Sequence, residues 1–394
     1  MAFEMIEDAD SAFNQGTNIK VIGVGGGGGN AVEHMIASGV RGVDFICANT
    51  DAQALKRSSA HQFLQLGKTG LGAGGKPVVG REAADQARGQ IRDSLEGAHM
   101  LFITAGMGGG TGTGAAPVIA KIAREMGILT VAVVTRPFEF EGSKRMDNAE
   151  QGLAELEANV DSLIVVLNEK LLEVYGDDIS QKEAFAKAND VLKNATGGIA
   201  EIINVPGLIN ADFEDVKTVM GEPGKAMMGT AVASGPDRAR LAAEQAVVCP
   251  LLDGVDLSGA KGVLVNITAD DSLRLGETRE AMNAIRAYAS PEANIIFGTV
   301  NDPTMGDSLR VTVLATGLSR GKADKAAPEL TVIRTGTDNL PMAAAGYGAA
   351  VAADDRIPAI WRSGRGAPSA HVNALMQSGM DEMEIPAFLR KQAD

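Results

Sequence analysis

The chain is poor in the side chains that build disulfide scaffolds, metal centres and nucleic-acid interfaces. It holds two cysteines, Cys47 and Cys249, each in an apolar stretch. Two distant cysteines make no disulfide framework, and a reducing compartment suits them. As small buried apolar side chains they need no further role. The four histidines, His34, His61, His99 and His371, show no metal-ligand spacing. Tryptophan occurs once, at Trp361. Positive charge is in the minority, with 36 Lys and Arg against 50 Asp and Glu and a formal net charge of -14. Such a chain has no general electrostatic footprint for nucleic acid or an anionic membrane. Any phosphate must be met locally, by backbone amides and a few placed cations. No window has the length and apolarity of a membrane span. The acidic opening MAFEMIEDADSAFNQ is unlike a signal peptide. These absences predict a cytoplasmic protein that reaches a membrane only through a partner.

Glycine is what the chain has in excess: 48 of 394 residues, against a usual share of ~7%. Much of it is concentrated in two runs, and both fall between a strand and a helix. From Asn18 onward, apolar runs alternate with helical segments. IKVIGV (19–24), VDFICANT (43–50), MLFITAG (100–106), ILTVAVVT (128–135) and SLIVVLN (162–168) read as buried strands. Strands alternating with helices predict an α/β fold with a parallel, doubly wound sheet. Residues 180–204 read as one long helix in which Phe185, Ala188, Val191, Leu192 and Ala195 recur at helical spacing. The glycine pair at 197–198 is a place where that helix could break. Beyond it, GVLVNITA (262–269), ANIIFGTV (293–300) and LRVTVLATG (309–317) are strands around few helices, as in a smaller α+β domain.

The expected organisation is a flexible tail (1–16), a nucleotide-binding domain (17–179), a central helix (180–206), an α+β domain (207–318), a disordered linker (319–383) and a short terminal peptide (384–394). The linker is rich in Ala, Gly, Pro, Ser and charge, without sustained periodicity. In EIPAFLRKQAD, Ile385, Phe388 and Leu389 share one helical face. A short amphipathic helix beyond a linker has no core of its own and is a peptide offered to a partner's groove.

The first glycine run is GVGGGGGN (23–30). Glycines let the backbone approach a ligand closely, and the start of the following helix favours an anion. Gly23, Gly25 and Gly28 satisfy GxGxxG, which alone is a weak signal for a dinucleotide site. The second run, GMGGGTGTG (106–114), also follows a strand, and Thr111 and Thr113 add hydroxyl donors. Two glycine cradles in one sheet suggest a phosphate chain gripped from two sides. A P-loop is excluded, because Gly67-Lys68-Thr69 lacks the earlier glycine and has Gln62 instead. Asp212 and Asp215 in GLINADFEDV (207–216) are three apart. Such a pair could polarise water, or simply favour a helix start.

GGGTGTG resembles the signature of the tubulin/FtsZ GTPases. VGGGGGN, NTDAQAL (49–55), GLGAGG (70–75) and RPFEFEGSKR (136–145) are similar to the FtsZ members of that family in order and spacing, from about Ile19 to Gly317. EIPAFLRKQAD is similar to the tail peptide of the proteobacterial members. The resemblance implies a self-assembling GTPase that polymerises head-to-tail into the filaments of the bacterial division ring, at mid-cell on the inner face of the membrane. It implies GTP and GDP as substrate and product, with Mg2+ as the triphosphate's companion. Gly26, Gly27, Gly28 and Gly29, with Gly110, Thr111 and Gly112, would cradle phosphates. Ala73 and Gly74 would lie near the γ-phosphate, Glu141 would hold the ribose, and Arg145 would stand beside the phosphates. Asn30, Asn189 and Asp190 would contact guanine, and Phe185 would stack on it. Asn210, Asp212 and Asp215 would complete the active site of a neighbouring subunit. The tail would bind adaptors of the FtsA and ZipA type. Leu167 and Glu169 stand where the family often has proline and aspartate. The rival reading is an NAD(P)-dependent oxidoreductase using the GxGxxG loop, with Asp51 on the ribose; it leaves GGGTGTG and NADFED unexplained.

Overall fold

The structure is a computed structural model that describes residues 16–318 except 177, 206, 223–224 and 249–258. The expected tail up to residue 15, the linker, Trp361, Cys249 and the terminal peptide lie outside the described residues.

Ten strands form one sheet: β1 (Ile19–Val24), β2 (Asp44–Asn49), β3 (Gln62–Gln65), β4 (Met100–Gly106), β5 (Leu129–Arg136), β6 (Ser162–Leu167), β7 (Lys225–Ser234), β8 (Gly262–Ala269), β9 (Asn294–Asn301) and β10 (Ser308–Leu318). Their order is β3-β2-β1-β4-β5-β6-β7-β10-β8-β9. The first six are parallel. Among the described residues they are joined to β7 by two residue pairs, Leu163 with Lys225 and Ile164 with Ala226. Beyond that seam β10 runs antiparallel to both β7 and β8, and β9 is parallel to β8.

The helices are α1 (Gly25–Ala37), α2 (Ala52–Leu55), α3 (Pro77–Gln86), α4 (Arg88–Leu95), α5 (Thr111–Glu125), α6 (Ser143–Glu157), α7 (Asn168–Tyr175), α8 (Gln181–Asn204), α9 (Phe213–Met220), α10 (Arg238–Val247) and α11 (Leu275–Arg286). The helical stretch expected over 81–98 is two helices, α3 and α4, meeting at Ala87.

Alternate residues of the parallel strands feed two cores. Val21 and Phe102 pack with Val32, Met35, Leu192 and Ile199 from α1 and α8. Ile22 and Ile103 pack on the opposite face with Ile91, Ile119 and Leu156 from α4, α5 and α6. Burial on both faces explains why these strands read as unbroken apolar runs. The α8 core also takes in Leu264 and Leu314 from β8 and β10, so α8 lies between the parallel and antiparallel strands. It runs unbroken through Gly197 and Gly198, both buried. Small residues there let the sheet come close: the Gly198 carbonyl accepts a hydrogen bond from Asn266 Nδ2 at 3.1 Å. The outer face of β8 and β10 packs under α10 and α11. The bidentate ion pair Arg238–Glu277, with Nε to Oε1 at 2.7 Å and Nη2 to Oε2 at 3.2 Å, ties those two helix starts together.

Candidate functional site: a cleft and a carboxylate loop at opposite ends of the parallel strands

Strand order reverses at β1, with β2 on one side and β4 on the other. Ligands of doubly wound sheets bind at such a switch point, beyond the carboxyl ends of the strands. Both glycine runs emerge there. Helix α1 starts directly after β1 and α5 starts at Thr111, and neither has a side-chain cap. Their first N–H groups are therefore available to an anion.

Close packing fixes the loops. Gly108 has φ 93°, and a Cβ on it would stand 2.7 Å from the Arg145 carbonyl oxygen. Only glycine fits both constraints. A Cβ on Gly28 would meet the Thr104 carbonyl oxygen at 2.3 Å, so this glycine serves the contact of α1 with β4. Thr113 Oγ1 accepts the Gly108 N–H at 2.9 Å, which places Thr113 inside the loop architecture. Thr50 and Thr111 share a hydroxyl hydrogen bond of 2.6 Å. The Thr50 carbonyl in turn accepts from Gly72 N–H at 3.0 Å, and Ala73 lies beside Gly110. The segments at 50, 70–75 and 106–111 are thus interlocked.

A cleft of about 380 Å3 opens at this end. Gly26, Gly27 and Asn30 line it from α1, and Gly110, Thr111 and Gly112 from the second loop. Glu141 and Arg145, which form an ion pair with each other, line its side. Phe185 and Asn189 come from α8. The Phe185 ring is held edge-on by buried Phe138, with centroids 5.4 Å apart. Ala73 stands against Gly110, Ala73 and Gly74 are both outside the lining, and Gly29 opens onto an adjacent hollow. Asp190 is also outside the lining; its carboxylate lies 2.8 Å from His34 Nε2 and 3.5 Å from Lys193 Nζ.

Asn168 was not among the expected site residues. It lines the cleft, is 3% exposed, and its Oδ1 has no hydrogen-bond partner. A buried, unsatisfied acceptor facing a cleft is a place for a ligand's donor. The neighbouring departure has a structural use: Glu169 Oε2 accepts the Glu139 N–H at 3.1 Å, joining this turn to the segment that carries Glu141.

Asn210, Asp212 and Asp215 are elsewhere. Asn210 closes its own loop, accepting from Gly207 N–H and donating to the Val205 carbonyl, both at 2.8 Å. Asp212 caps α9 by accepting the Asp215 N–H at 2.8 Å. Phe213 lies edge-on to His99, and His99 Nδ1 accepts the Asn18 N–H at 3.0 Å. His99 and Asn18 immediately precede β4 and β1, so this loop sits at the amino ends of the parallel strands. The cleft sits at their carboxyl ends. Seven-residue β4 alone separates the two by roughly 20 Å.

Two uncapped helix starts meeting at the switch point of a doubly wound sheet, without a P-loop, are the features of a nucleotide-binding fold. Asp51, the acid a dinucleotide site would need, caps α2 instead, accepting from Gln53 N–H at 2.8 Å. The model for the Tubulin/FtsZ family, GTPase domain, matches residues 18–176, and that for the FtsZ family, C-terminal domain, matches 224–319. The chain is 53% identical over 403 residues to the cell division protein FtsZ of Azotobacter vinelandii, with 100% of both chains covered. It is 53% identical over 407 residues to that of Pseudomonas aeruginosa, again covering 100% of both. A solved structure described as an empty FtsZ dimer from M. jannaschii is 42% identical, with a TM-score of 0.75 over 78% of this chain and 90% of that one. The chain belongs to the tubulin/FtsZ family of GTPases, in its FtsZ branch. The nicotinamide reading finds no support in these likenesses.

Proposed function

We propose that the chain hydrolyses GTP at the junction between subunits of a head-to-tail filament, and that the filament serves cell division. The observation that carries this reading is the placement of the cleft and the carboxylate loop at opposite ends of the parallel strands. No single subunit can bring Asp212 to its own cleft. Stacking one subunit's loop end on the next one's cleft end unites them. A heterologous contact that does not close on itself makes a filament.

In this reading the backbone N–H groups of Gly26, Gly27 and Gly110 to Gly112 hold phosphate oxygens, and Arg145 offsets their charge. Phe185 stacks on the base, Asn30, Asn189 and Asp190 read its edge, and Glu141 accepts from the ribose. Asp212 and Asp215 from the next subunit orient and polarise the attacking water. Asp215 suits that part: among the described residues its carboxylate has no hydrogen bond or ion pair, whereas Glu214 is paired with Lys217 at 3.3 Å. Mg2+ supplies charge neutralisation when it accompanies the triphosphate. The lining offers amide donors and few carboxylates, so phosphate and water oxygens would be its ligands. The domain organisation follows the same division, with a nucleotide half at 17–179, helix 180–206 and an activating half at 207–318. The peptide 384–394 docks on membrane adaptors through Ile385, Phe388 and Leu389, which places the filament at the membrane of the division site.

The test is GTP turnover per molecule across a dilution series. The rate should rise above a threshold concentration and vanish below it. A rate per molecule that is unchanged far below assembly would refute the shared site.

A further inference from the structure

We infer that His34 is a specificity-positioning residue: it grips the Asp190 carboxylate and thereby aims it at the edge of the guanine base. The inference rests on the reading of Asp190 as a base contact and adds a residue to it. Asn30 and His34 are one turn apart on α1, which places them on one helix face. Asn30 lines the cleft, and His34 stands one turn further from the phosphate loops, where α1 packs on α8. On α8, Asn189 lines the cleft and Asp190 is turned toward α1. The two polar pairs therefore stack along one seam, with Asn30 and Asn189 at the cleft and His34 and Asp190 beneath them.

The contact is specific in its atoms. His34 Nε2 is 2.8 Å from Asp190 Oδ1, and both side chains are about one-third exposed. A carboxylate only accepts, so Nε2 carries the proton of this hydrogen bond. Lys193 Nζ lies on the same Oδ1 at 3.5 Å. The other oxygen, Oδ2, has Lys187 Nζ at 3.9 Å, outside hydrogen-bond distance. Oδ1 is thus used to fix the side chain, and Oδ2 keeps acceptor capacity. Guanine presents two donors on one edge, N1–H and the 2-amino group, whereas hypoxanthine keeps N1–H alone. An acceptor held in place discriminates between them more sharply than one free to rotate, because a misaligned carboxylate leaves the 2-amino group unpaired. Without His34, Asp190 would be left with lysines of its own helix at positions three before and three after it.

The test compares affinities of the full chain for GDP and for IDP, which lacks the 2-amino group. Wild type should prefer GDP. His34→Ala should lose GDP affinity by roughly tenfold and IDP affinity by much less, lowering the preference. His34→Gln, which restores an N–H donor at similar reach, should recover part of it. Equal losses for GDP and IDP in His34→Ala, or no loss at all, would overturn the inference. Asp190→Ala separates this from failure of the underlying reading. If it leaves the GDP-to-IDP preference intact, Asp190 is no base contact and the reading itself falls. If it abolishes the preference while His34→Ala does not, only the role of His34 falls.

Discussion

The two ends of the parallel strands are built on different principles. At the carboxyl end the cleft is made mostly of backbone, and its loops are interlocked at contact distance. At the amino end the 207–215 loop is held by side-chain caps and by a backbone bridge from Ile209 to Thr299 of β9, and it exposes apolar residues, with Leu208 84% and Ile209 40% exposed. The first end is a cleft whose walls are fixed by packing. The second presents carboxylates and apolar side chains to something outside the molecule. On the proposed reading, a reaction that needs both ends is under the control of assembly, and nucleotide binding precedes hydrolysis.

The sharpest way to break this comparison is Asp212→Asn. Asparagine caps a helix about as well as aspartate, so folding should be kept while the charge is removed. GTP turnover should fall by about 100-fold or more, with nucleotide affinity unchanged and filaments persisting. Phosphate release and thermal unfolding measured on one sample decide it. Normal turnover in a normally folded variant would show the carboxylate to be only a cap.

At the cleft end, Gly108→Ala should do the reverse. It forces a Cβ into a left-handed backbone and against the Arg145 carbonyl. Nucleotide affinity should drop by more than about tenfold, with a stability loss of roughly 1–3 kcal/mol. Retention of bound GDP through desalting reads the first and chemical denaturation the second. A variant that keeps its nucleotide would mean the loop is not the rigid cradle described above.

A third change addresses the antiparallel half. The Arg238 hydrogen bond holds the Glu277 carboxyl below its ordinary value, despite the opposing effect of burial. A group with a lowered folded-state value stabilises above its unfolded value and loses that contribution as pH falls through the folded one. Glu277→Gln should therefore destabilise by about 3 kcal/mol near neutrality. The gap to wild type should close as pH is taken below the ordinary glutamate range. Denaturant melts at a series of pH values give the curve, and a gap independent of pH would assign the loss to packing.

The smallest effect is expected from deleting 384–394. Turnover per molecule and filament formation should stay within about twofold, while binding to an adaptor is lost, because in the proposed division the peptide belongs to neither the nucleotide half nor the activating half. A large change in turnover would show that the tail acts on the body.

Much of this was legible from residue order alone. Both glycine runs announce themselves by composition and by the strands before them, and the parallel sheet follows from apolar runs buried on two faces. Strand β7, KAMMGTAVAS, was not legible. Its Ala, Gly and Met carry little β-propensity, and its pairing with β10 supplies what the local sequence does not. The break at Ala87 was likewise not read, its only local cue being Gly89 in the first turn of α4. Asn168 carried a weak signal, a polar residue ending an apolar strand, and only its burial with an unpaired Oδ1 gives it meaning.

What residue order determined by itself was local chemistry: where the backbone is free of side chains, which helix starts attract anions, and where two carboxylates stand three apart. Local chemistry depends on neighbours in the chain, so it can be read from the chain. What only the tertiary structure decided was which of these features share a space. Chain order places Gly110, Asp190 and Asp212 in three successive segments. The crossovers of the parallel sheet and the unbroken α8 assign them to the cleft, to the grip of His34 and to the opposite end of the strands. Distances between such points are set by the packing of the whole core, and no spacing along the sequence encodes them.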